Sequence, residues 1–444
     1  MESFRVKSCR SINGSLKLSG DKSIAHRSII LASLSEGKTT IKNFPANKDC
    51  LYTVSIFKNL GVKIKKNPDG SLTVFGKGLS GLKKPHAALF TGESGTTFRL
   101  LLGVLAGQDF PATLTCGGSL SRRPMLRVTA PLRKMGAKIN AKRKTQNAKR
   151  EEYPPITIHG GHLKGITYRM SVPSAQVKSA ILLAGLFAKG RTVVIERLAS
   201  RDHTERMLRA FGARIKPGKK IIISQTPKLV SPRQIYIPAD ISSASFFIVA
   251  ALILPDSRVV VSNVSLNPSR CRALAVLRRM GADIRITAAV GHFSAGEPLG
   301  EVEARSSSLK AARVSKKEVP FLIDELPILM VAASFAKGQS VFQGVQELRV
   351  KETDRIKSMS ENLRRMGVTV KVRKTGRQEQ LSIRASGPLS GCKIKSFSDH
   401  RTAMSMAIAA LGAEGSSTID NTSCISKSFP DFLKILKSTA KFRD

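Results

Sequence analysis

The sequence predicts an α/β fold in which one structural module is used six times. The first observation is a recurrent segment with a Ser/Thr-rich start, a helix of small apolar residues, a turn and a β-branched strand. Its copies begin at Ala25, Thr96, Gln176, Ser242, Leu326 and His400. These starts lie 66 to 84 residues apart, which is too long for a solenoid period and suits a module of several elements.

The second observation is an amphipathic helix after each strand, which in five copies ends in Gly and an apolar pair. The endings read FKNLGVKI, LRKMGAKI, LRAFGARI, LRRMGADI and LRRMGVTV, and the sixth copy closes with FPDFLKIL. The first helix of each module is apolar nearly all round, which is typical of a helix buried on every side. If these buried helices run alike, their N-termini gather on common surfaces and favour anions. We therefore expect the chemistry where these helices start.

Six modules fit two lobes of three. Ser231-Pro232 and the IPAD segment at 237–240 separate the third module from the fourth, and Gly20-Asp21 precedes the first. We therefore expect an N-terminal lobe of residues 21–239 and a C-terminal lobe of residues 1–20 and 240–444.

The composition, with 41% apolar residues, provides ample material for a packed core. The longest apolar stretch, at 244–254, is too short to span a membrane. The opening MESFRVKSCR lacks the apolar region of a signal peptide. Six scattered cysteines without a CxxC pair indicate reduced thiols rather than disulfides or a zinc site. We therefore expect a cytoplasmic protein without a membrane partner.

The formal net charge of +43 suggests a nucleic-acid binder at first sight. However, the basic residues are spread over all modules, with one dense stretch at 142–150 that we expect to form a loop. Four Tyr and no Trp leave little for base stacking. We favour a basic surface around an active site for anions and expect no nucleic acid. A basic RNA-binding protein without catalysis is the alternative from another functional class.

Two short motifs resemble cofactor sites without predicting one. GKGLSG at 76–81 matches GxGxxG, yet KKPH follows it instead of a helix. HGGH at 159–162 offers two histidines without further ligands, which is more typical of a turn at the end of a strand. We expect neither a dinucleotide nor a metal.

The first helix start, DKSIAHRSII, combines a lysine, a hydroxyl and an arginine. Lys22 and Ser23 are expected to precede the helix, and Arg27 to lie one turn in, on the face of Ser23. Such a set can hold a phosphate or a carboxylate from three sides. A plain helix cap with solvated charges explains this segment equally well.

The next two helix starts offer weaker signals. In TGESGTTFR, Gly95 permits close approach of a ligand, while Thr96 and Thr97 are expected to cap the helix. SRRPM then fixes Arg122 and Arg123 beside a proline. In VPSAQVKSA, the neutral side chains Ser174 and Gln176 suit the hydroxyl groups of a ligand.

The second half of the chain adds carboxylates and cations. IDELP places Asp324 and Glu325 before an apolar helix, where a lone Asp is most often an N-cap. In RVKETDR, Lys351 and Arg355 are expected to share a helix face, where like charges repel unless an anion lies between them. SDHRTAM and SKSFPD contribute the further residues His400, Arg401 and Lys427.

The motifs DKS…HR, SGTTFR, RRP, PSAQVKSA, DELP, RVKETDR, DHR and SKSFPDF occur in this order. Together they resemble the EPSP synthase family of enolpyruvyl transferases over essentially all 444 residues. The resemblance implies an α/β fold of two lobes, each with three βαβαββ modules. It also implies transfer of the enolpyruvyl group of phosphoenolpyruvate to the 5-hydroxyl of shikimate 3-phosphate, with release of phosphate. This transferase reaction belongs to the shikimate pathway of chorismate and aromatic amino acid biosynthesis, and glyphosate inhibits the family.

The resemblance further implies a monomer without cofactor and assigns residues to both substrates. Shikimate 3-phosphate is expected to contact Lys22, Ser23, Arg27, Ser174, Ala175, Gln176, Arg201, Asp324, Glu347 and Lys351. Phosphoenolpyruvate is expected to contact Lys22, Gly95, Arg123, Gln176, Arg355, Arg401 and Lys427. The catalytic residues implied are Asp324 as base for the 5-hydroxyl proton, Glu352 as acid for the methylene carbon, and Lys22 and His400 as assistants.

Two positions depart from the pattern of many family members. Glu93-Ser94 stand where Asn-Ala is common, and Glu347 stands where Asn or Ser is familiar. Because these positions border the substrates, their contacts are left open by the resemblance.

The enzyme alternative is the related transferase that acts on UDP-N-acetylglucosamine. That family carries Lys-Asn where Lys22-Ser23 stand, and a reactive Cys on the loop before its Arg-Pro. Here Cys116 is expected at a strand end seven residues before Arg123, and the loop GGSLSRRP contains no thiol.

Overall fold

The computed structural model describes residues 3–146, 149–376 and 378–442. The helices are α1 Lys22–Leu34, α2 Lys48–Asn59, α3 Gly95–Leu105, α4 Leu126–Lys134, α5 Ala175–Gly185, α6 His203–Ala210, α7 Ile241–Ile253, α8 Arg272–Arg279, α9 Val319–Leu322, α10 Leu326–Ser334, α11 Arg355–Arg365, α12 His400–Leu411 and α13 Phe432–Thr439. Short 3-10 helices span Gly118–Arg122, Gln346–Val350 and Thr422–Lys427.

The strands are β1 Phe4–Lys7, β2 Cys9–Leu16, β3 Ser35–Glu36, β4 Lys38–Lys42, β5 Lys63–Lys66, β6 Leu72–Phe75, β7 Leu89–Phe90, β8 Pro111–Thr115, β9 Lys138–Gln146, β10 Lys149–His159, β11 Thr167–Arg169, β12 Arg191–Ile195 and β13 Ile215–Lys216. They continue with β14 Lys220–Ser224, β15 Leu229–Val230, β16 Gln234–Tyr236, β17 Arg258–Ser265, β18 Asp283–Ser294, β19 Glu297–Arg305, β20 Arg313–Val314, β21 Gln339–Gln343, β22 Thr369–Thr375, β23 Gln378–Arg384, β24 Lys393–Ile394, β25 Ser416–Ile419 and β26 Ala440–Phe442.

The chain divides into two compact units. The first unit consists of Gly20–Ile237 with Phe293–Glu297. The second unit consists of Met1–Ser19, Pro238–His292 and Pro298–Asp444. Each unit has its own continuous hydrophobic cluster.

The sheets of the first unit share one strand order. The four-stranded sheets run β16-β4-β6-β5, β7-β8-β10-β9 and β11-β12-β14-β13, beside the small pair β15-β3. In each of the three, the first two strands pair in parallel and the remaining pairs are antiparallel. A parallel pair needs a crossover, and the buried helices α3 and α5 provide it between β7 and β8 and between β11 and β12.

The second unit repeats this order in the sheet β20-β21-β23-β22. Its larger sheet, β18-β19-β17-β2-β26, pairs β2 with β17 in parallel and adds β26 at the edge. The third sheet, β1-β25-β24, joins the first strand of the chain to a late one.

The crossover helices are buried on every side, as their sequences predict. From Ile24 onward every residue of α1 is buried, and every residue of α10 and of α12 is buried. Burying a Leu or Ile side chain contributes roughly 1.5–3 kcal/mol, so these helices form the centre of each core. Their first turns are thereby fixed against rigid surroundings.

The amphipathic helices end as the sequence predicts, at glycines in the left-handed conformation. Gly61, Gly136, Gly212, Gly281 and Gly367 have φ values between 78° and 112°. Gly adopts this conformation without a Cβ clash, which ends the helix and starts the next strand.

The basic stretch at 142–150 is not the expected loop. It continues β9 and β10, whose antiparallel pairing extends from His159↔Lys138 to Lys149↔Gln146. Strand β8 pairs only with the part of β10 at 156–159, so beyond this point the two strands form a hairpin arm. The tip at 147–148 lies outside the described residues.

In the ranges that the structure describes, every helix is too short or too polar to cross a membrane.

The packing of α3 against α5 provides a test of the first unit. A Cβ at Gly103 would lie 2.2 Å from the carbonyl oxygen of Ala180. Gly→Ala inside a helix normally stabilises by about 1 kcal/mol, whereas overpacking a core costs about 1–3 kcal/mol. We therefore expect Gly103→Ala to lower the free energy of unfolding by about 2 kcal/mol in denaturant titration.

Gly117→Ala is the matched control, because its Cβ would meet its nearest neighbour at an ordinary 3.5 Å and its φ is −114°. We expect its effect to stay below about 0.5 kcal/mol. Equal stability of both variants would mean that α3 and α5 are not in backbone contact.

Candidate active site

The start of α1 is capped by an aspartate. Asp21 is fully buried and its Oδ1 accepts from the Ile24 N–H at 2.9 Å. The prediction that Lys22 and Ser23 precede the helix is therefore wrong by two residues, since the helix begins at Lys22. Because the carboxylate of Asp21 satisfies the free amide, both residues lie inside the first turn.

Arg27 lies in the same helix and is 4% exposed. Its guanidinium donates to Thr204 Oγ1 at 2.7 Å, Ser179 Oγ at 2.8 Å and the Ser23 carbonyl oxygen at 2.8 Å. Burial lowers the pKa of Arg27 to about 10, so the group stays cationic at neutral pH. These three hydrogen-bond acceptors are neutral, while the nearby carboxylates of Glu205, Asp21 and Glu297 favour the charged form of the guanidinium.

Lys22 is held by the neighbouring helix. Its Nζ lies 3.1 Å from Asp49 Oδ2 on α2, and its side chain is 23% exposed. The pair keeps the ammonium near the N-terminus of α1 while part of it faces solvent.

The start of α3 is capped by Ser94, whose hydroxyl accepts from the Thr97 N–H at 3.2 Å. The prediction that Thr96 and Thr97 are the caps is therefore wrong, because the helix already begins at Gly95, directly after Ser94. Thr97 donates its hydroxyl to Ser94 at 2.8 Å, and Thr96 accepts from Gln176 Nε2 at 3.0 Å.

Glu93, at one of the two positions that depart from the common motif, also has a structural role. Its carboxylate accepts from the N–H and from the hydroxyl of Ser119, both at 3.1 Å. Glu93 thus holds the 3-10 helix Gly118–Arg122, which leads directly to Arg123.

Arg99 is a site residue that the sequence reasoning missed. Its guanidinium donates to Gln176 Oε1 at 2.5 Å and to the Pro124 carbonyl oxygen at 3.3 Å. A Cβ at Gly95 would lie 3.0 Å from Arg99 Nη1 and 3.3 Å from Arg123 Nη1. Two cations therefore meet at the glycine that opens α3. The signal was present, since Arg99 is the last residue of SGTTFR.

The start of α5 is capped by Ser174, which accepts from the Val177 N–H at 3.5 Å. Ala175 is the first helical residue, and Gln176 has its amide oxygen and amide nitrogen engaged by Arg99 and Thr96. The amide of Gln176 therefore joins α5 to α3 and fixes the orientation of Arg99. Arg201 lies in the loop between β12 and α6.

Arg355 is the centre of the second unit's site and is 1% exposed. Its Nε lies 2.9 Å from Asp399 Oδ2, its Nη2 2.6 Å from Glu352 Oε2, and its Nη1 3.7 Å from Asp324 Oδ1. Burial by itself would lower the pKa of Arg355, but Asp399, Glu352 and Asp324 raise it above its ordinary value. The guanidinium is therefore a fixed cation that orients three carboxylates.

Asp399 is the second residue that the sequence reasoning missed. It is fully buried and caps α12, because its Oδ1 accepts from the N–H groups of Arg401 at 2.8 Å and Thr402 at 3.0 Å. Its other oxygen binds Arg355. The residues before it, Phe397 and Ser398, have φ values of 53° and 55°, a strained conformation often found at functional sites. Its position directly before the apolar helix in SDHR was the available signal.

Asp324 does not act as an N-cap. Its Oδ1 lies 3.6 Å from Arg401 Nε, and its backbone carbonyl oxygen accepts from Arg401 Nη1 at 2.7 Å. Its side chain is 24% exposed. Two arginines therefore hold this carboxylate while it still faces solvent.

The prediction of a shared helix face for Lys351 and Arg355 is wrong. Asp354 caps α11 by accepting from the Lys357 N–H at 3.0 Å, so the helix begins only at Arg355. Lys351 directly follows the preceding 3-10 helix Gln346–Val350, which carries Glu347.

The remaining predicted residues lie at two further helix ends. His400 is the first residue of α12 and is 5% exposed. Lys427 is the last residue of the 3-10 helix Thr422–Lys427. Beyond it, Phe429 and Phe432 pack on Phe247 of α7 with ring centroids 5.7–6.1 Å apart. This aromatic cluster anchors the segment that carries Lys427.

The Asp399–Arg355 pair provides a test of the second unit. Asp399→Asn keeps an oxygen for the cap and removes the charge. Breaking a buried ion pair from one side costs about 3–5 kcal/mol, and we expect a loss of about 3 kcal/mol in the free energy of unfolding, measured in denaturant.

The control is Glu361→Gln, which breaks the half-exposed pair with Arg365. An exposed helix pair contributes about 0.3–0.5 kcal/mol. A loss in Asp399→Asn as small as in this control would mean that the buried pair is not formed in solution.

The family model described as EPSP synthase (3-phosphoshikimate 1-carboxyvinyltransferase) matches residues 6–436. A protein named 3-phosphoshikimate 1-carboxyvinyltransferase from Desulforamulus reducens is 43% identical over 433 residues, covering 97% of this chain and 98% of the relative. A protein of that name from Geobacter metallireducens is 43% identical over 440 residues, covering 99% of this chain and 100% of the relative.

Solved structures agree with this relationship. The EPSP synthase of Acinetobacter baumannii superposes with a TM-score of 0.86 at 40% identity, covering 99% of both chains. The enolpyruvyl transferase NikO of Streptomyces tendae shares the fold at 18% identity, with a TM-score of 0.75, covering 99% of this chain and 98% of that one. The chain therefore belongs to the EPSP synthase (3-phosphoshikimate 1-carboxyvinyltransferase) family.

Proposed function

We propose that this protein transfers the enolpyruvyl group of phosphoenolpyruvate to the 5-hydroxyl of shikimate 3-phosphate. The products are 5-enolpyruvylshikimate 3-phosphate and phosphate, in the shikimate pathway of aromatic amino acid biosynthesis. The observation that carries the proposal is the family match over residues 6–436. The buried cations at the starts of apolar helices support it, because both substrates carry a carboxylate and a phosphate.

The proposed contacts follow from these cations. In the first unit, shikimate 3-phosphate contacts Lys22, Ser23, Arg27, Ser174, Ala175, Gln176 and Arg201, and phosphoenolpyruvate contacts Gly95 and Arg123. In the second unit, shikimate 3-phosphate contacts Asp324, Glu347 and Lys351, and phosphoenolpyruvate contacts Arg355, Arg401 and Lys427. Lys22 and Gln176 contact both substrates. Arg99 is added as a positioning residue, since it fixes Gln176 beside Gly95.

The proposed chemistry is addition followed by elimination. Asp324 takes the proton of the 5-hydroxyl as that oxygen bonds to the enol carbon, while Glu352 gives a proton to the methylene carbon. The carboxylate of Glu352 then takes a proton back from the resulting methyl group as the bond to the phosphate oxygen breaks, and the departing phosphate takes the proton held by Asp324. The exposure of Asp324 supports its role, because a base must reach the hydroxyl directly. Glu352 is 33% exposed and is fixed by Arg355, which favours its ionised form. The negative charges of the two bound substrates favour the protonated form that donation requires, and Lys22 and His400 assist.

The properties of the Cys116 thiol argue against the activity of the related transferase that acts on UDP-N-acetylglucosamine. Cys116 directly follows β8, as expected for a strand end. Burial and the neighbouring Glu93 raise the pKa of the Cys116 thiol to about 11. Such a thiol stays protonated at neutral pH and is a weak nucleophile.

We also propose a cytoplasmic monomer whose partners are its two small substrates, without nucleic acid or membrane. The free state of all six cysteines supports a reducing compartment. Sedimentation at micromolar concentration tests the monomer.

The direct test is phosphate release from phosphoenolpyruvate. We expect release with shikimate 3-phosphate and none with UDP-N-acetylglucosamine. Release only with the latter would favour the related transferase. If neither substrate leads to phosphate release and the protein binds RNA tightly at physiological salt, the RNA-binding alternative would be favoured.

The proposed role of Asp324 as the base can be tested by substitution. Asp324→Asn keeps the shape of the side chain but cannot take a proton, so we expect turnover to fall by roughly 10²–10⁴ with little change in either KM. Asp354→Asn is the control, because Asn caps a helix as well as Asp does. Turnover of Asp324→Asn within a few-fold of the parent would exclude Asp324 as the base.

The surroundings of Gly95 lead to a prediction about glyphosate, which is compared with phosphoenolpyruvate in the variant Gly95→Ala. The methyl of Gly95→Ala would press on the ends of Arg99 and Arg123. Because glyphosate is slightly longer than phosphoenolpyruvate, we expect the inhibition constant of glyphosate to rise more than the KM of phosphoenolpyruvate. Unchanged inhibition by glyphosate would place Gly95 away from this site.

A further inference from the structure

A buried cluster of charges lies behind the proposed shikimate 3-phosphate site in the first unit. Lys178 on α5 is 1% exposed, and its Nζ lies 2.7 Å from Glu205 Oε1 and 2.9 Å from Glu196 Oε2. Its third proton goes to the Ser200 carbonyl oxygen at 3.3 Å. All three donors of the ammonium are thus used. We name Lys178, Glu196 and Glu205 the Lys178 triad.

The triad connects three separate pieces of the chain. Glu196 directly follows β12, Glu205 lies in the first turn of α6, and Lys178 lies in α5. Glu196 also accepts from the Ser200 hydroxyl at 2.5 Å. One ammonium therefore fixes the loop between β12 and α6 on both sides of Arg201.

A second link runs beside the triad. Ser179 follows Lys178 and Thr204 precedes Glu205, and their hydroxyls lie 2.6 Å apart. Both hydroxyls accept from Arg27. The contact between α5 and α6 that holds Lys178 on Glu205 therefore also sets the position of the Arg27 guanidinium.

The charges of the triad are mutually dependent. Burial by itself would lower the pKa of Lys178, but Glu205 and Glu196 raise it above its ordinary value. Burial raises the pKa of Glu205, against the opposing effect of Lys178. The side chains of Glu196 and Glu205 are 7% and 4% exposed, so the triad has little access to solvent or substrate.

We infer that the Lys178 triad consists of positioning residues for shikimate 3-phosphate. It holds Arg201 and Arg27 in fixed places relative to Ser174 and Gln176, so that the site is formed before the substrate arrives. The inference rests on the proposed function. A site formed in advance lowers the cost of binding, so the triad acts on the affinity for shikimate 3-phosphate and not on the chemical step.

The test compares the neutral variant Lys178→Met/Glu196→Met/Glu205→Met with the parent. Replacing a whole buried ion cluster by apolar side chains of similar volume is often nearly neutral for stability, so we expect the variant to keep its fold. We expect the KM of shikimate 3-phosphate to rise by about tenfold or more, while kcat and the KM of phosphoenolpyruvate stay within about threefold.

Ser257→Ala is the control for destabilisation alone. It removes a 2.9 Å hydrogen bond from the Ile12 N–H in the second unit, and we expect its KM values to be unchanged. If this control raises the KM of shikimate 3-phosphate as much as the neutral variant does, the effect reflects stability and the inference is overturned.

A second measurement asks whether the triad acts through Arg201. Arg201→Ala is made in the parent and in the neutral variant. Coupled residues give non-additive effects, so we expect Arg201→Ala to raise the KM of shikimate 3-phosphate less in the neutral variant. Additive effects would overturn the inference. Absence of turnover in the parent protein would refute the proposed function itself, whereas normal turnover with an unchanged KM in the neutral variant would refute the triad alone.

Discussion

The burial of charged groups at the starts of apolar helices is the constraint on which the rest of the structure depends. A cation taken out of water is stable only if its N–H groups are bonded. Arg27 meets this demand with two hydroxyls and a carbonyl oxygen. Arg355 meets it at Nε and Nη2 with the carboxylates of Asp399 and Glu352, while its Nη1 lies 3.7 Å from Asp324. The same demand is therefore met by neutral groups around Arg27 and by carboxylates around Arg355.

Capping follows from the same constraint. The buried helices α1, α3, α5, α7 and α12 each have a side-chain cap, and the caps are Asp21, Ser94, Ser174, Asp240 and Asp399. A cap removes the need for the first-turn residues to satisfy the backbone. These residues are then free to point functional groups at a ligand. Asp21, Ser94 and Asp399 stand one or two residues before residues that the motifs single out, and Ser174 is itself such a residue, so cap and candidate functional group appear within a single motif.

The conformation of the loops depends on charged groups behind them. Glu93 holds the short helix before Arg123 through Ser119, and Lys178 holds the loop of Arg201 through Ser200. In both cases a buried or half-buried side chain bonds to the backbone or hydroxyl of a loop serine. A loop fixed in this way presents its arginine without a large loss of entropy on binding. Specificity for anions thus depends on residues that never need to touch them.

The sequence by itself determined the apolar and amphipathic helices, the glycine ends of five amphipathic helices and the order of the motifs. Apolar residues all round a helix indicate burial whatever their neighbours, and a Gly after an amphipathic helix ends it for a local steric reason. Residues such as Arg27 and Asp324 could be selected because their motifs resemble a known family. Which residue caps each helix was misjudged at Ser94 and Asp21, because several polar residues in a row are locally equivalent. Only the tertiary structure decided that Asp399 meets Arg355 and that Lys178 meets Glu205, since partners 44 and 27 positions apart in the chain are brought together by packing alone.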